Sequence, residues 1–125
     1  MPTLTQAPTL GDLLKYEAPN LYSREQATVA AGQNLPLGAV VGRETATSKL
    51  KALDPAAGDG SDVAVGVLAL AVDATLIDRE DAILIARHAI VARGALIWPG
   101  GITAPQKAAA EAQLVALGIL VRDAA

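Results

Sequence analysis

The stretch VAVGVLALAVDA, residues 63–74, decides the fold. Only Gly66 and Asp73 interrupt an apolar run built from Val, Leu and Ala. A half-exposed strand would alternate apolar with polar; a near-continuous run entered from a turn reads as a strand buried on both faces. Glycine inside such a strand offers nothing to pack, so Gly66 marks a bulge or the close approach of another backbone.

The approach to this run, DPAAGDGSD (54–62), raises a chemical question. Two glycines, three aspartates and a serine could hold a cation or a phosphate. An EF-hand needs oxygen ligands at alternating loop positions and Glu at position twelve. Counted from Asp59 that position is Leu70, and from Asp54 it is Val65. A calcium roll needs stacked glycine-aspartate repeats, and this chain has one. A phosphate loop would want a third glycine where Val63 stands, and would open a helix rather than a strand. The stretch reads as a turn, with Asp54-Pro55 and Asp59-Gly60 as its turn dipeptides.

Outward from there, ATVAAGQ (27–33), GAVVGRE (38–44) and SKLKALD (48–54) are short Val-rich or alternating runs between turn residues, hence strands. In the last, Leu50, Ala52 and Pro55 fall on one side, Lys49 and Lys51 on the other. DREDA (78–82) reads as the next turn, and ILIARHAIVAR (83–93) as a second long strand with Arg87 and Arg93 on one side and Leu84, Ala86 and Ile90 on the other. One helix is expected, about 104–117. Thr103 caps it, Gln106 closes a capping box, Pro105 sits in its first turn, Lys107 and Glu111 stand at i,i+4, and Gly118 follows as the C′ residue. A short strand, ILVR (119–122), ends the fold. The fold class is α+β, mostly β.

Residues 1–23 differ in texture. Pro2, Pro8 and Pro19 oppose helix and favour extended backbone, and both tyrosines, Tyr16 and Tyr22, fall here. The segment is either a solvated leader or an arm that orders against another molecule, laid as an extended peptide on a sheet edge. The domain plan is therefore an arm, 1–23, and one β-rich domain, 24–125.

Composition limits function. A chain of 125 residues supports one core, not two. It has no Cys, so no disulfide and no thiolate metal site. Ten Lys and Arg are scattered along a chain of net charge −3, which argues against nucleic acid. No run reaches the roughly 20 apolar residues of a membrane helix, and Met1–Pro8 reads as a mature N-terminus without a signal peptide. With no Phe, one Trp and two Tyr, the core is made of small aliphatic side chains, which favours a self-associating protomer.

No catalytic constellation emerges, and no cofactor or metal is expected. His88 is the sole histidine and aligns with the apolar face of its strand, as a packed or interface residue. Ser23, Ser48 and Ser61 lie in turns without a nucleophile frame. Asp78, Glu80 and Asp81 read as solvated turn charges. Trp98, between a strand end and a helix cap, is either an interface residue or a plug closing a small barrel. A small-ligand or carbohydrate-binding β module is the alternative class, disfavoured because sugar stacking wants exposed aromatics and the domain offers only Trp98.

The order of DPAAGDGSD, AVGVLALAVDAT (64–75), ALIWPGGIT (95–103), a Lys-bearing helix and LGILVR (117–122) resembles the lambda-type phage head-decoration proteins. TVAAGQNLPLGAVVGR (28–43) resembles a longer-armed branch of that family, and the likeness covers roughly 24–122. The resemblance implies a β-clip-like bent ribbon closing into a partial barrel. It further implies a homotrimer on the outer surface of the expanded capsid, at three-fold and quasi-three-fold positions, clamping the major capsid protein. The virion is then the location, after assembly in the host cytoplasm. On this likeness Leu10, Leu13, Leu14, Tyr16, Leu21 and Tyr22 are the capsid-binding arm residues, and Trp98, Pro99 and His88 the trimer-interface residues.

Overall fold

The run at 63–74 is two strands rather than one. The computed structural model describes residues 9–123, so the first eight residues of the expected arm lie outside it. In chain order the elements are α1 (Leu10–Leu13), β1 (Leu14–Glu17), β2 (Arg24–Val29), β3 (Gln33–Leu35), β4 (Val40–Arg43), β5 (Leu50–Ala52), β6 (Ala64–Leu68), β7 (Val72–Ala74), β8 (Arg79–Ile85), β9 (Ala89–Ala92), α2 (Ala104–Ala116) and β10 (Ile119–Arg122). A bend at Ala69–Leu70 separates β6 from β7. β6 stays between β4 and β8, whereas β7 departs to pair with β3, from Gln33↔Ala74 to Leu35↔Val72.

Five strands close into a barrel in the order β2-β5-β4-β6-β8. The barrel closes fully, where the resemblance implied a partial one. Its seam is a single parallel pair, Val29↔Leu50. Val29, Val41, Leu50, Leu68, Val72 and Leu84 fill the interior. A second core lies outside the barrel wall, where Leu13, Leu53, Val67, Ile85, Val91, Leu114 and Ile119 pack together. This explains the double-sided burial of β6. Consecutive residues of one strand point to opposite faces, so Val67 enters the outer core and Leu68 the inner one. Val40 and Val41 on β4, and Ile85 and Leu84 on β8, divide in the same way.

Gly66 is a point of close approach. A Cβ there would overlap the carbonyl oxygen of Ile85 and crowd the Leu84 side chain at 2.7 Å. The bulge falls beside it: pairing passes from Val41↔Gly66 to Gly42↔Ala64, leaving Val65 as the extra residue.

The outer core is roofed by α2 and a three-stranded sheet, β1-β9-β10. α2 begins and ends as its sequence dictates. Thr103 Oγ1 accepts from Gln106 N–H at 3.3 Å, Gln106 Oε1 accepts from Thr103 N–H at 2.9 Å, and Gly118 follows at φ +84°. Its Ala110 and Leu114 face the core. Glu111 pairs with Arg93 across the fold at 3.0 Å, not with Lys107. β10 then runs parallel to β9, in register from Ile119↔Ala89 to Arg122↔Ala92.

Three further expectations change. Residues 10–17 are not a free extended arm: α1 and β1 belong to the fold, with β1 antiparallel to β9. Leu10, Leu13 and Leu14 have helical i, i+3, i+4 spacing, and one short capped turn drives Leu13 to full burial in the outer core. Asp12 holds that turn by accepting from Thr9 N–H at 2.8 Å. The expected strand 83–93 breaks at Arg87–His88, where His88 takes φ +48°. In DREDA only Asp78 remains a turn residue; Arg79 to Ala82 pair with β2, from Val29↔Arg79 to Ala27↔Ala82.

Candidate functional site

The Gly58–Asp62 bend satisfies its own polar groups. Asp59 Oδ1 accepts from Ser61 N–H at 3.0 Å and from Ser61 Oγ, and Asp59 Oδ2 lies 3.2 Å from Lys51 Nζ. These contacts hold the Asp59 carboxyl far below the ordinary carboxylate range, the Ser61 hydroxyl contributing most. Ser61 is buried and its carbonyl accepts from Asp54 N–H at 3.0 Å, while Asp59 O accepts from Thr45 N–H at 2.8 Å. The carboxylate is thus consumed within its own loop and in tying that loop to Lys51 on β5. Among the described residues no group of three His, Cys, Asp or Glu is placed to hold a metal ion, and no helix is long and apolar enough to cross a membrane.

Asp73, Asp78 and Glu17 do similar structural work. Asp73 accepts from Thr75 N–H at 3.1 Å and from its hydroxyl, and Asp78 accepts from Ala31 N–H at 2.8 Å while pairing with Lys49. Both carboxyls are lowered, Asp73 chiefly by Thr75 and Asp78 chiefly by Lys49. Glu17 is lowered by Arg24, whose guanidinium donates to both its oxygens at 2.7 and 2.8 Å.

The six expected arm residues separate by direction. Leu10, Leu13 and Leu14 turn into the chain's own outer core; Tyr16, Leu21 and Tyr22 are exposed, at 53%, 63% and 53%. Tyr22 meets His88, from the other expected set, with ring centroids 5.3 Å apart and edge-on geometry. Arg87 lies over the Tyr22 ring, donates to the Tyr22 carbonyl at 2.6 Å and pairs with Glu25 at 2.7 Å. His88 is exposed rather than packed, because the strand bends beneath it. Buried Ser23 fixes that bend: its Oγ donates to the His88 carbonyl and accepts from Ala18 N–H, each at 2.8 Å.

Trp98 and Pro99 belong to another loop, and both are half-buried. Trp98 packs on the outer core, and Pro99 lines a cleft of about 580 Å³ with Leu53, Pro55 and Ile102.

Two surfaces escape the sequence. Leu76 and Ile77, in the turn between β7 and β8, are 89% and 61% exposed. Their signal was an apolar pair where a turn ordinarily carries polar residues. On the three-stranded sheet, Tyr16↔Ile90↔Leu120 form one cross-strand row on the face turned away from the core. No local pattern could have aligned three residues so distant in the chain.

No curated protein matches the chain. The family model for the bacteriophage lambda head decoration protein D matches residues 3–119, a span that takes in the barrel, α2 and every strand but the last three residues of β10. A β-rich domain in which Asp59, Asp73 and Asp78 brace turns, with apolar residues left on its surface, agrees with a structural role, and the chain belongs to that family of phage head decoration proteins.

Proposed function

We propose that the protein is a homotrimer that seats on the outer surface of the expanded capsid, at three-fold and quasi-three-fold positions, and clamps neighbouring major capsid subunits. The observation that carries this reading is the family match over residues 3–119. Its physical support is a core without Phe, which favours a protomer that gains burial by association, and exposed apolar residues on two separate parts of the surface. His88, Trp98 and Pro99 are the proposed contacts between copies. Tyr16, Leu21 and Tyr22, with residues 1–8 ahead of them, are the proposed contacts to the capsid. Because residues 10–17 are committed to the fold, the reach left to the leader is short: eight extended residues span at most about 29 Å. Fixing each costs about 1–2 kcal/mol, so a single leader binds weakly. Three on one trimer convert later contacts to intramolecular events, a gain of about 10²–10⁴.

The test is the solution mass of the free protein together with its co-sedimentation with expanded, undecorated heads. The expected result is a trimer that co-sediments, and a chain beginning at Thr9 that keeps the trimer mass but binds heads more weakly. A monomer that never co-sediments overturns the proposal.

A further inference from the structure

We propose that the outward face of the β1-β9-β10 sheet is the surface by which the protein seats on the capsid, with Tyr16, Ile90, Leu120 and Arg122 as its contact residues. The inference rests on the capsid-binding reading and adds to it a face built from three strands rather than a tail.

Ile90 stands opposite Tyr16 on one side and Leu120 on the other, so the three side chains share one face. The opposite face is fully used: Val91 and Ile119 are buried in the outer core, with Leu14 and Val121 packed against it. Tyr16 and Leu120 nonetheless remain 53% and 38% exposed. Arg122 lies two residues beyond Leu120 on the same strand, hence on the same face. It is exposed, and among the described residues it makes no ion pair, unlike Arg24, Arg43, Arg87 and Arg93. An apolar row beside a guanidinium with no ion pair among the described residues suits an apolar shelf edged by a carboxylate.

Continuity identifies the occupant. The capsid is what head decoration proteins bind, and the proposed capsid-reaching leader enters the fold through α1 directly into β1, the edge strand that carries Tyr16. A leader engaged with the shell brings this face to it. The competing apolar surface, Leu76 and Ile77, lies in the turn between β7 and β8, outside the sheet into which the leader feeds.

The experiment uses the full-length protein in three single variants, Leu120→Glu, Arg122→Glu and Leu76→Glu, each measured for solution mass, melting temperature and affinity for expanded, undecorated heads. Leu120→Glu is expected to weaken head binding about tenfold or more, the loss of one buried leucine contact, with mass unchanged. Arg122→Glu, at an exposed position where folding is not at risk, is expected to weaken binding and flatten its dependence on salt. Leu76→Glu is expected to bind as the wild type does. The inference is overturned if both Leu120→Glu and Arg122→Glu bind normally, if Leu76→Glu is the variant that loses binding, or if Leu120→Glu dissociates the oligomer, which would place this face between copies. Failure of the wild-type protein itself to bind heads would instead overturn the capsid reading on which the inference rests.

Discussion

Replacing Leu13 by alanine separates an arm from a core. In an arm that orders only on a partner, the change would leave the free protein's stability untouched. In the fold described above Leu13 is fully buried, packed in the outer core with Val91, Leu114 and Ile119 as fellow members. The substitution removes the equivalent of three methylenes, a transfer loss of about 2.4 kcal/mol at roughly 0.8 kcal/mol each. A rigid site adds a cavity term, and Leu→Ala changes in cores span about 2–5 kcal/mol. The site is roofed by a single-turn helix that can settle inward, so the expected loss is about 3 kcal/mol. For a chain of this size that lowers the melting temperature by about 12 °C, taking about 4 °C per kcal/mol. Leu21→Ala, eight residues on and 63% exposed, is the internal control; surface changes of this kind stay within about 0.5 kcal/mol. Thermal melts followed by far-UV circular dichroism decide the matter. A Leu13→Ala protein that melts with its Leu21→Ala counterpart would refute the placement of α1 in the core.

The remaining predictions concern the joints of the fold. Ser23→Ala leaves the amide of Ala18 without its acceptor and the His88 carbonyl without its donor, and is expected to cost about 1–3 kcal/mol in urea unfolding; an unchanged midpoint would show that the bend stands without it. Gly66→Ala forces a Cβ onto backbone that cannot rotate away, with an expected loss of about 1–3 kcal/mol or more, and a protein that folds with wild-type stability would contradict the close packing of β6 on β8. Asp12, Glu17, Asp59, Asp73 and Asp78 all hold their protons less tightly folded than unfolded. The unfolded chain therefore takes up protons first as pH falls, so stability is full above about pH 5 and declines with acidification. Asp59→Asn should be less stable than wild type near neutrality, and the two should converge as pH falls below about 4; urea titrations at several pH values read this directly, and a gap that widens in acid would reverse the sign.

Much of the barrel was legible because its signals are local. SKLKALD alternates, and Leu50 is buried while Lys51 reaches Asp59. Thr103 and Gln106 announce their helix, and it starts there. Where local signals conflict with packing, packing prevailed. The charges of DREDA look like a turn, yet Arg79, Glu80 and Asp81 lie on β8, drawn alongside β2 where buried Ala82 pairs with Ala27. ILIARHAIVAR looks continuous, yet a hydrogen bond from Ser23, 65 residues away, holds the backbone at His88 in a bend. The prolines of the leader hid the i, i+3, i+4 spacing of Leu10, Leu13 and Leu14, the one clue that its second half folds back.

By itself the sequence determined the class of this protein: a β-rich domain of small aliphatic side chains, with aspartates in its turns. Those properties follow from residue type and spacing, which act over a few residues and need no partner. Tertiary structure alone decided that the barrel closes, that one strand serves two cores, and that Tyr16, Ile90 and Leu120 become neighbours on a single face. Such relations depend on register between strands distant in the chain, and register is chosen by the simultaneous burial of many side chains rather than by any short segment.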